Sequence, residues 1–477
     1  QPFEKDNLDY SKIPTNLQLY IKSMNESVAI IGAGPVGSLA ALGFGHRDYK
    51  VTLFDMRPDP RTTKGTKLKS INLAVSDRGI NAMQYVDENM SQRVLSGIIP
   101  MYGRMVHDLD GHQESQKYGL QGEHINSIDR AELSKSLVSE IELFDRNNAN
   151  QITFKFECKI LNMHILKDED CVQVEYMDKH SKRRFEKFDF VIGADGCYSK
   201  VRGALMKYTR MDYKQVYIDM CYLELSIPPG PNSSFLIDAN HLHIWPRKDF
   251  MLIALPNKDG SFTCTVFGPW KLMESLNTVN KITNFFHTNF SDAVPLIGEE
   301  SITRAFLNNP RNALMHVTCS TYHYSDKCIL IGDAAHSMVP FYGQGMNCGF
   351  EDIRILLEML KKTHGDRTVT FEEYSTTRHK DLVAILRLAL NNFYEMSTKV
   401  QSPLFLLRKG VDGILGRLFP LFWIPLYTMV SFRADIPYSK CIETEKRQTS
   451  ILKTGSCLLL LSLTATLVKH LFHRTSK

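Results

Sequence analysis

Residues 28–44 read VAIIGAGPVGSLAALGF, and no other stretch limits the fold as much. Val28 to Ile31 is an apolar, largely β-branched run. Gly32, Gly34 and Gly37 follow as G-x-G-x-x-G, and Leu39 to Phe44 opens a helical pattern. A second apolar strand, Val51 to Phe54, ends in Asp55, 18 residues past Gly37. Glycines at this spacing let backbone approach a pyrophosphate at a helix N-terminus, and the acid accepts from a ribose hydroxyl. The spacing predicts a dinucleotide site on an α/β domain, and the fingerprint alone does not separate FAD from NAD. The alternative is a glycine turn that serves only helix-on-strand packing.

The same strand-then-glycine pattern returns 300 residues later, in CILIGDAAHSMVPFYGQGMNCGFED. Cys328 to Ile331 reads as a buried strand running into Gly332-Asp333. A loop with Pro340, Gly343 and Gly345 then precedes a helix. Two such turns in one chain make sense if both close on one ligand, so the second is assigned to the domain of the first.

Between them the period keeps changing. SINLAV reads as a strand before a short helix, and 127–143 as an amphipathic helix with Asp129 as cap and Glu132 at capping-box spacing. Phe188 to Ile192 is an apolar strand leading into GADGCYSKVR. Residues 214–267 alternate as antiparallel strands with one wet face, and helical spacing returns over 272–290 and from Thr370. On the last helix Leu382, Ile385, Ala389, Asn392 and Met396 share a stripe. An amide there needs a partner, either a ligand or backbone.

Net charge is +5, with no basic run interleaved with aromatics, so nucleic acid is not expected as a partner. Ten cysteines stand singly without C-x-x-C, which reads as reduced, buried thiols in a cytosol-facing protein. His241 and His243 flank one leucine; a metal pair is conceivable, strand-face histidines are the ordinary reading, and no metal is expected. The N-terminus lacks the apolar core of a signal peptide. Thr454 to Val468 carries no charge and has Lys453 and Lys469 at its ends, which predicts a short membrane anchor, the alternative being a buried terminal helix.

Three motifs stand in order: G-x-G-x-x-G, then Asp195-Gly196 with Arg202, then Gly332-Asp333 followed by PFYGQGMN. This order resembles the single-component flavoprotein aromatic hydroxylases. SINLAVSDRG, LHIWPR, ALPNKDGSFTCT and IPLYTMV extend the resemblance over about residues 26–435. It implies an α/β fold: a Rossmann-like FAD-binding domain of the p-hydroxybenzoate hydroxylase type, with an inserted antiparallel β-sheet substrate domain, a C-terminal helical region and a C-terminal membrane anchor. The expected boundaries are 26–101, 127–208 and 316–375 for the FAD domain, 102–126 and 209–315 for the substrate domain, 376–452 for the helices and 453–473 for the anchor.

The resemblance further implies tight, non-covalent FAD, with NADPH and O2 as cosubstrates. L-kynurenine would be hydroxylated to 3-hydroxy-L-kynurenine through a flavin C4a-hydroperoxide, with no protein nucleophile. The cofactor residues would be Gly32, Gly34, Val36, Gly37, Phe54, Asp55, Met56, Arg57, Ala74, Arg130, Ile160, Asp195, Asp333, Met346 and Asn347. Pro340, Phe341 and Gly345 would position the flavin, with Tyr342 beside them in a dry wall. Arg104, Tyr118, Asn392 and Tyr427 would bind substrate, although Arg104 could instead pair with Asp108, and Asp195 could be a plain strand-end turn. The implied address is the mitochondrial outer membrane with the catalytic mass in the cytosol. Two rival readings are a related hydroxylase or epoxidase acting on another aromatic or lipid substrate, and a non-catalytic binding protein on the same scaffold.

Overall fold

The computed structural model describes residues 26–62, 72–148, 151–397 and 402–475, with side chains as far as Gly455 and at Cys457. Strand Ser27–Ile31 pairs in parallel with Lys50–Phe54 on one side and Phe190–Gly193 on the other. Ile152–Lys155 and Cys328–Leu330 extend the sheet outward, and His323–Tyr324 closes one edge antiparallel. Helix Pro35–Gly45 packs on one face, and a separate three-stranded sheet packs on the other, its Tyr176 and Phe188 lying against Phe54, which is why these strands read as unbroken apolar runs; Val28, Ala29 and Ile30 are wholly buried. The strand before the second glycine turn therefore lies two places from the strand before the first.

Phe188 to Ile192 is not one strand. Arg183–Phe188 belongs to a separate three-stranded sheet, and Phe190–Gly193 to the parallel one. The break falls at Asp189, whose carboxylate accepts from the Ser27 amide at 2.7 Å and its hydroxyl at 2.8 Å, pinning the sheet to its first strand. The cap at Asp129 forms as the pattern predicts, accepting from the amides of Ala131 and Glu132 ahead of helix Arg130–Asn147.

The second large sheet has seven strands, Gly103–His107 and Gln113–Lys117 joining five strands drawn from 213–319. The expected wet face is absent from its middle. Ile244, Met251 and Phe267 face the main core, while Trp245, Leu252 and Val266 meet a second cluster built on Phe286, Phe290 and Phe306. Helices Val279–Asn289 and Glu299–Asn308 carry Phe286 and Phe306, with Phe290 at the C-cap of the first, and shield the face that alternation alone would expose to water.

The buried His107 and His243 and the partly exposed Asp292 form a relay across this layer. His243 Nε2 donates to the Asp238 carbonyl at 2.7 Å, so its Nδ1 accepts from His107 Nε2 at 2.9 Å. His107 Nδ1 faces Asp292 Oδ2 at 2.7 Å, and Trp245 donates to the same carboxylate. Both nitrogens of His243 are engaged, which leaves no lone pair for the conceivable metal.

The C-terminal part comprises the long helix Arg367–Ser397, an outer helix Pro403–Leu418, a short helix Leu426–Phe432 and a terminal helix Tyr438–Thr475. Arg78 fastens it. This wholly buried guanidinium donates to the carbonyls of Val430, Met429 and Ile436, pairs with Glu351 at 2.6 Å, and lies 4.0 Å from the Tyr438 ring. Removing one partner of such a buried pair costs about 3–5 kcal/mol. Among the described residues no helix is long and apolar enough to cross a membrane. Side chains from Leu458 onward, most of the expected anchor, lie outside the described residues.

Burial lowers His243 to about 4, so the native state keeps it neutral. The unfolded chain takes up this proton near 6.5, so stability should fall as pH drops from there towards 4. Urea denaturation should read about 2 kcal/mol less stability at pH 5 than at pH 7 from this group. His243→Gln should flatten that slope.

Candidate active site

The first turn closes on itself. Gly32 has φ +107°, and a Cβ there would lie 2.4 Å from the Ala194 carbonyl oxygen; a Cβ on Gly37 would lie 1.8 Å from that of Gly32. A Cβ on Gly34 would meet no protein atom within 4 Å, so this glycine borders open space at the N-terminus of helix Pro35–Gly45. Asp55 ends the next strand, accepting from the Ala33 amide at 2.9 Å and from the backbone and guanidinium of Arg57. Met56 beside it is exposed.

The second turn is held against the first by Val36. Its methyls come within 3.1 Å of a Cβ position on Gly332 (φ +57°) and 2.6 Å of one on Gly349. Asp352 anchors the turn from inside, accepting from the Gly332 amide at 3.0 Å, His336 Nε2 at 2.5 Å and Arg378 Nε at 3.0 Å. Burial pushes this carboxyl up, but His336 and Arg378 outweigh it and hold it at about 2. His336, Cys348 and Asp352 come close enough to share an ion, yet the Arg378 guanidinium stands against both Cys348 and Asp352 and opposes a cation there. Asp333 is half-buried, and among the described residues it has no hydrogen-bond or ion-pair partner.

Beyond Asp333, Asn347 clamps three segments together. It accepts from the Ser76 amide at 2.9 Å and donates to the carbonyls of Ala74 and Gly343, each at 2.7 Å. Helix Gly345–Lys362 starts here, so the amides of Gly345, Met346 and Asn347 have no carbonyl one turn behind them within the helix. The other expected cofactor residues fall into two groups. The side chains of Phe54 and Ile160 are buried in the core and both residues are paired within their sheets; the Phe54 carbonyl accepts from the Gly32 amide. Arg130 is exposed at the start of its helix. The Asp195 carboxylate caps helix Lys200–Leu205, accepting from Lys200, Val201 and Ser199, which is the strand-end-turn reading.

The residues expected at the substrate gather in one place. Arg104 is buried under Tyr118 and Tyr427, its guanidinium 5.7 and 5.3 Å from their ring centres, and those rings stack at 4.9 Å. Tyr342 stacks on Tyr427 at 5.6 Å, while Phe341 packs on Phe267 and Phe393. Asn392 donates to the Phe341 carbonyl at 2.6 Å, which satisfies its amide with backbone and ties the long helix to the loop of the second glycine turn. Arg104 pairs not with Asp108 but with Glu395, 3.2 Å away and one helical turn beyond Asn392. Burial works against its charge, but Glu395 and the two tyrosines raise it above its ordinary value. Arg104 Nε is buried without a hydrogen-bonded partner, and the buried Tyr118 hydroxyl lies against Arg104 and Tyr427. Glu395 is the residue that sequence reasoning missed, and its place one turn from Asn392 was the available signal.

The profile described as FAD binding domain matches residues 25–388. The chain is 54% identical to kynurenine 3-monooxygenase of Candida albicans over 433 residues, 90% of this chain and 92% of that one. It is 48% identical to kynurenine 3-monooxygenase of Saccharomyces cerevisiae over 440 residues, 90% and 94%. Among solved structures, 2-methyl-3-hydroxypyridine-5-carboxylic acid oxygenase superposes with TM-score 0.62 at 14% identity, covering 80% of this chain and 95% of that one. Pseudomonas aeruginosa PqsL in complex with 2-aminobenzoylacetate does so with TM-score 0.61 at 17% identity, 78% and 97%. At such identities these two share the fold.

Gly34 separates the turn's architecture from its ligand. Gly34→Ala should leave the melting temperature of the flavin-free protein unchanged but weaken FAD binding in a fluorescence-quenching titration. Gly37→Ala, which collides with backbone, should lose both.

Proposed function

The chain belongs to the kynurenine 3-monooxygenase family, built on the FAD binding domain, and we propose from that premise that it hydroxylates L-kynurenine to 3-hydroxy-L-kynurenine with NADPH and O2. The observation that carries this is the cation-and-tyrosine cage of Arg104, Tyr118 and Tyr427, tied by Asn392 to the loop of the second glycine turn. FAD, when bound, supplies the electron-accepting and oxygen-activating chemistry.

Around it this chain would bind and orient. Gly32, Gly34, Val36 and Gly37 would take the pyrophosphate, with Arg130 nearby. Asp55 and Arg57 would take the adenosine ribose, with Phe54, Met56 and Ile160 adjoining and Asp195 at the flank. Asp333 would accept from the ribityl hydroxyls. The N-terminus of helix Gly345–Lys362, with Ala74, Met346 and Asn347 beside it, would stabilise negative charge on the reduced ring. Pro340, Phe341 and Tyr342 would keep water out.

An amino-acid head brings both signs, and the pocket already holds both. Arg104 offers a planar fork to the carboxylate, and Glu395 offers a carboxylate to the ammonium. The orphaned Arg104 Nε gives that head one further donor. A related enzyme for an apolar substrate would have no use for a buried arginine here.

We further infer that Thr454–Val468 anchors the chain at the mitochondrial outer membrane with its catalytic mass in the cytosol. The uncharged run, its basic flanks and the helical backbone continuing to Thr475 support this.

The decisive assay is NADPH oxidation with and without L-kynurenine, the product identified by mass. Kynurenine should accelerate oxidation and gain one oxygen atom; slow oxidation indifferent to kynurenine would sink the proposal. Arg104→Ala and Arg104→Lys should each raise the kynurenine Kd, the alanine by about 1.5–3 kcal/mol, without lowering FAD content. Asp333→Ala should purify with less FAD.

A further inference from the structure

The outer helix Pro403–Leu418 turns its polar side inward. Asp412 accepts from Arg408 at 2.8 Å and from Trp423 Nε1 at 2.9 Å, while Arg408 reaches across to Glu445 and Thr449 at 3.2 Å. Gly416 is buried, and a Cβ there would come 2.8 Å from Leu120. The apolar stripe, Leu404, Leu407, Val411, Ile414 and Leu418, recurs every three or four residues on the outside. Leu404, Leu407, Ile414 and Leu418 are 78%, 65%, 61% and 66% exposed, and in the loop that follows Leu421 and Phe422 reach 85% and 82%. Single exposed apolar residues are ordinary, but a contiguous set is a surface meant to be covered.

Two observations say by what. The groove between this helix and the terminal one is lined by Leu404, Leu407 and Val411 from one side and by Leu452 and Cys457 from the other. The stripe is thus continuous with the start of the uncharged run Thr454–Val468, which leaves the body beside it. Its rim is basic, with Arg417 and Lys453 exposed, as suits anionic headgroups. That run is 15 residues, roughly 22 Å of helix against about 30 Å of bilayer hydrocarbon, so inserting it draws the neighbouring helix down to the surface.

We propose that the outer helix lies in the plane of a phospholipid surface, with Leu421 and Phe422 dipping below the headgroups, so that the chain docks in two parts. This rests on the anchoring role of the tail argued above. The outer helix also packs on Leu120, two residues from Tyr118, so the lipid-facing helix backs onto the substrate pocket.

The test uses the full chain and phosphatidylcholine vesicles containing an anionic phospholipid. In flotation, Leu421→Ser/Phe422→Ser should partition at least about ten-fold less than wild type, with kynurenine turnover in detergent unchanged. Vesicles with brominated acyl chains should quench the added fluorescence of a Phe422→Trp variant, whose position is 82% exposed. A double variant that floats like wild type, with no quenching at position 422, overturns the in-plane helix while leaving the tail intact. If wild type itself fails to float, the tail reading falls and this inference with it. If light scattering without lipid shows a dimer that the double variant abolishes, a second copy covers the face and the lipid assignment is wrong.

Discussion

Everything at the site depends on one contact, the isopropyl group of Val36 resting on Gly332 and Gly349. Neither glycine leaves room for a side chain, so helix Pro35–Gly45 and helix Gly345–Lys362 lie side by side. Their preceding turns, 300 residues apart in the chain, then face the same space. The parallel sheet brings the strands within two places of each other; the valine-on-glycine packing sets the final approach. Two helix N-termini directed at one volume make a site for an anionic, extended ligand, as a flavin dinucleotide is.

A second layer of order comes from buried charge. Asp352 anchors the Gly332 turn and is paired by Arg378, which also holds Glu351, and Glu351 in turn holds Arg78. Arg78 reaches the carbonyls of the C-terminal segment that carries Tyr427. Desolvating this many ions is costly, and apolar residues would stabilise the core as well or better. What the network adds is connection: Arg378 stands on the same helix as Asn392 and Glu395, so the Arg104 cage, the second glycine turn and the C-terminal helices share one strut.

The parts of this arrangement that were legible in the sequence are local. The two glycine turns, the cap at Asp129 and the apolar parallel strands each follow from residues a few positions apart. The cage is not local. Arg104 and Glu395 are 291 positions apart, and the one local hint is that Glu395 lies a turn from Asn392. Arg78 is harder still, because three of its partners are backbone carbonyls, which have no side-chain signature. The wet face expected of the inserted sheet failed for a different reason: alternation reports one covered face and is silent on whether a separate helical layer, here Phe286, Phe290 and Phe306, covers the other. Asn392 could be picked out as an amide on an apolar stripe, but only the fold reveals the Phe341 carbonyl that satisfies it.

The central claim is that both glycine turns hold one flavin in front of the Arg104 cage. A difference-spectrum titration of the purified yellow protein with L-kynurenine addresses it directly. The account predicts one FAD per chain and a saturable perturbation of the flavin's visible absorbance as kynurenine binds, reaching its limit at one kynurenine per flavin. A colourless protein, or a flavin spectrum that kynurenine leaves untouched while a separate method records its binding, would contradict it.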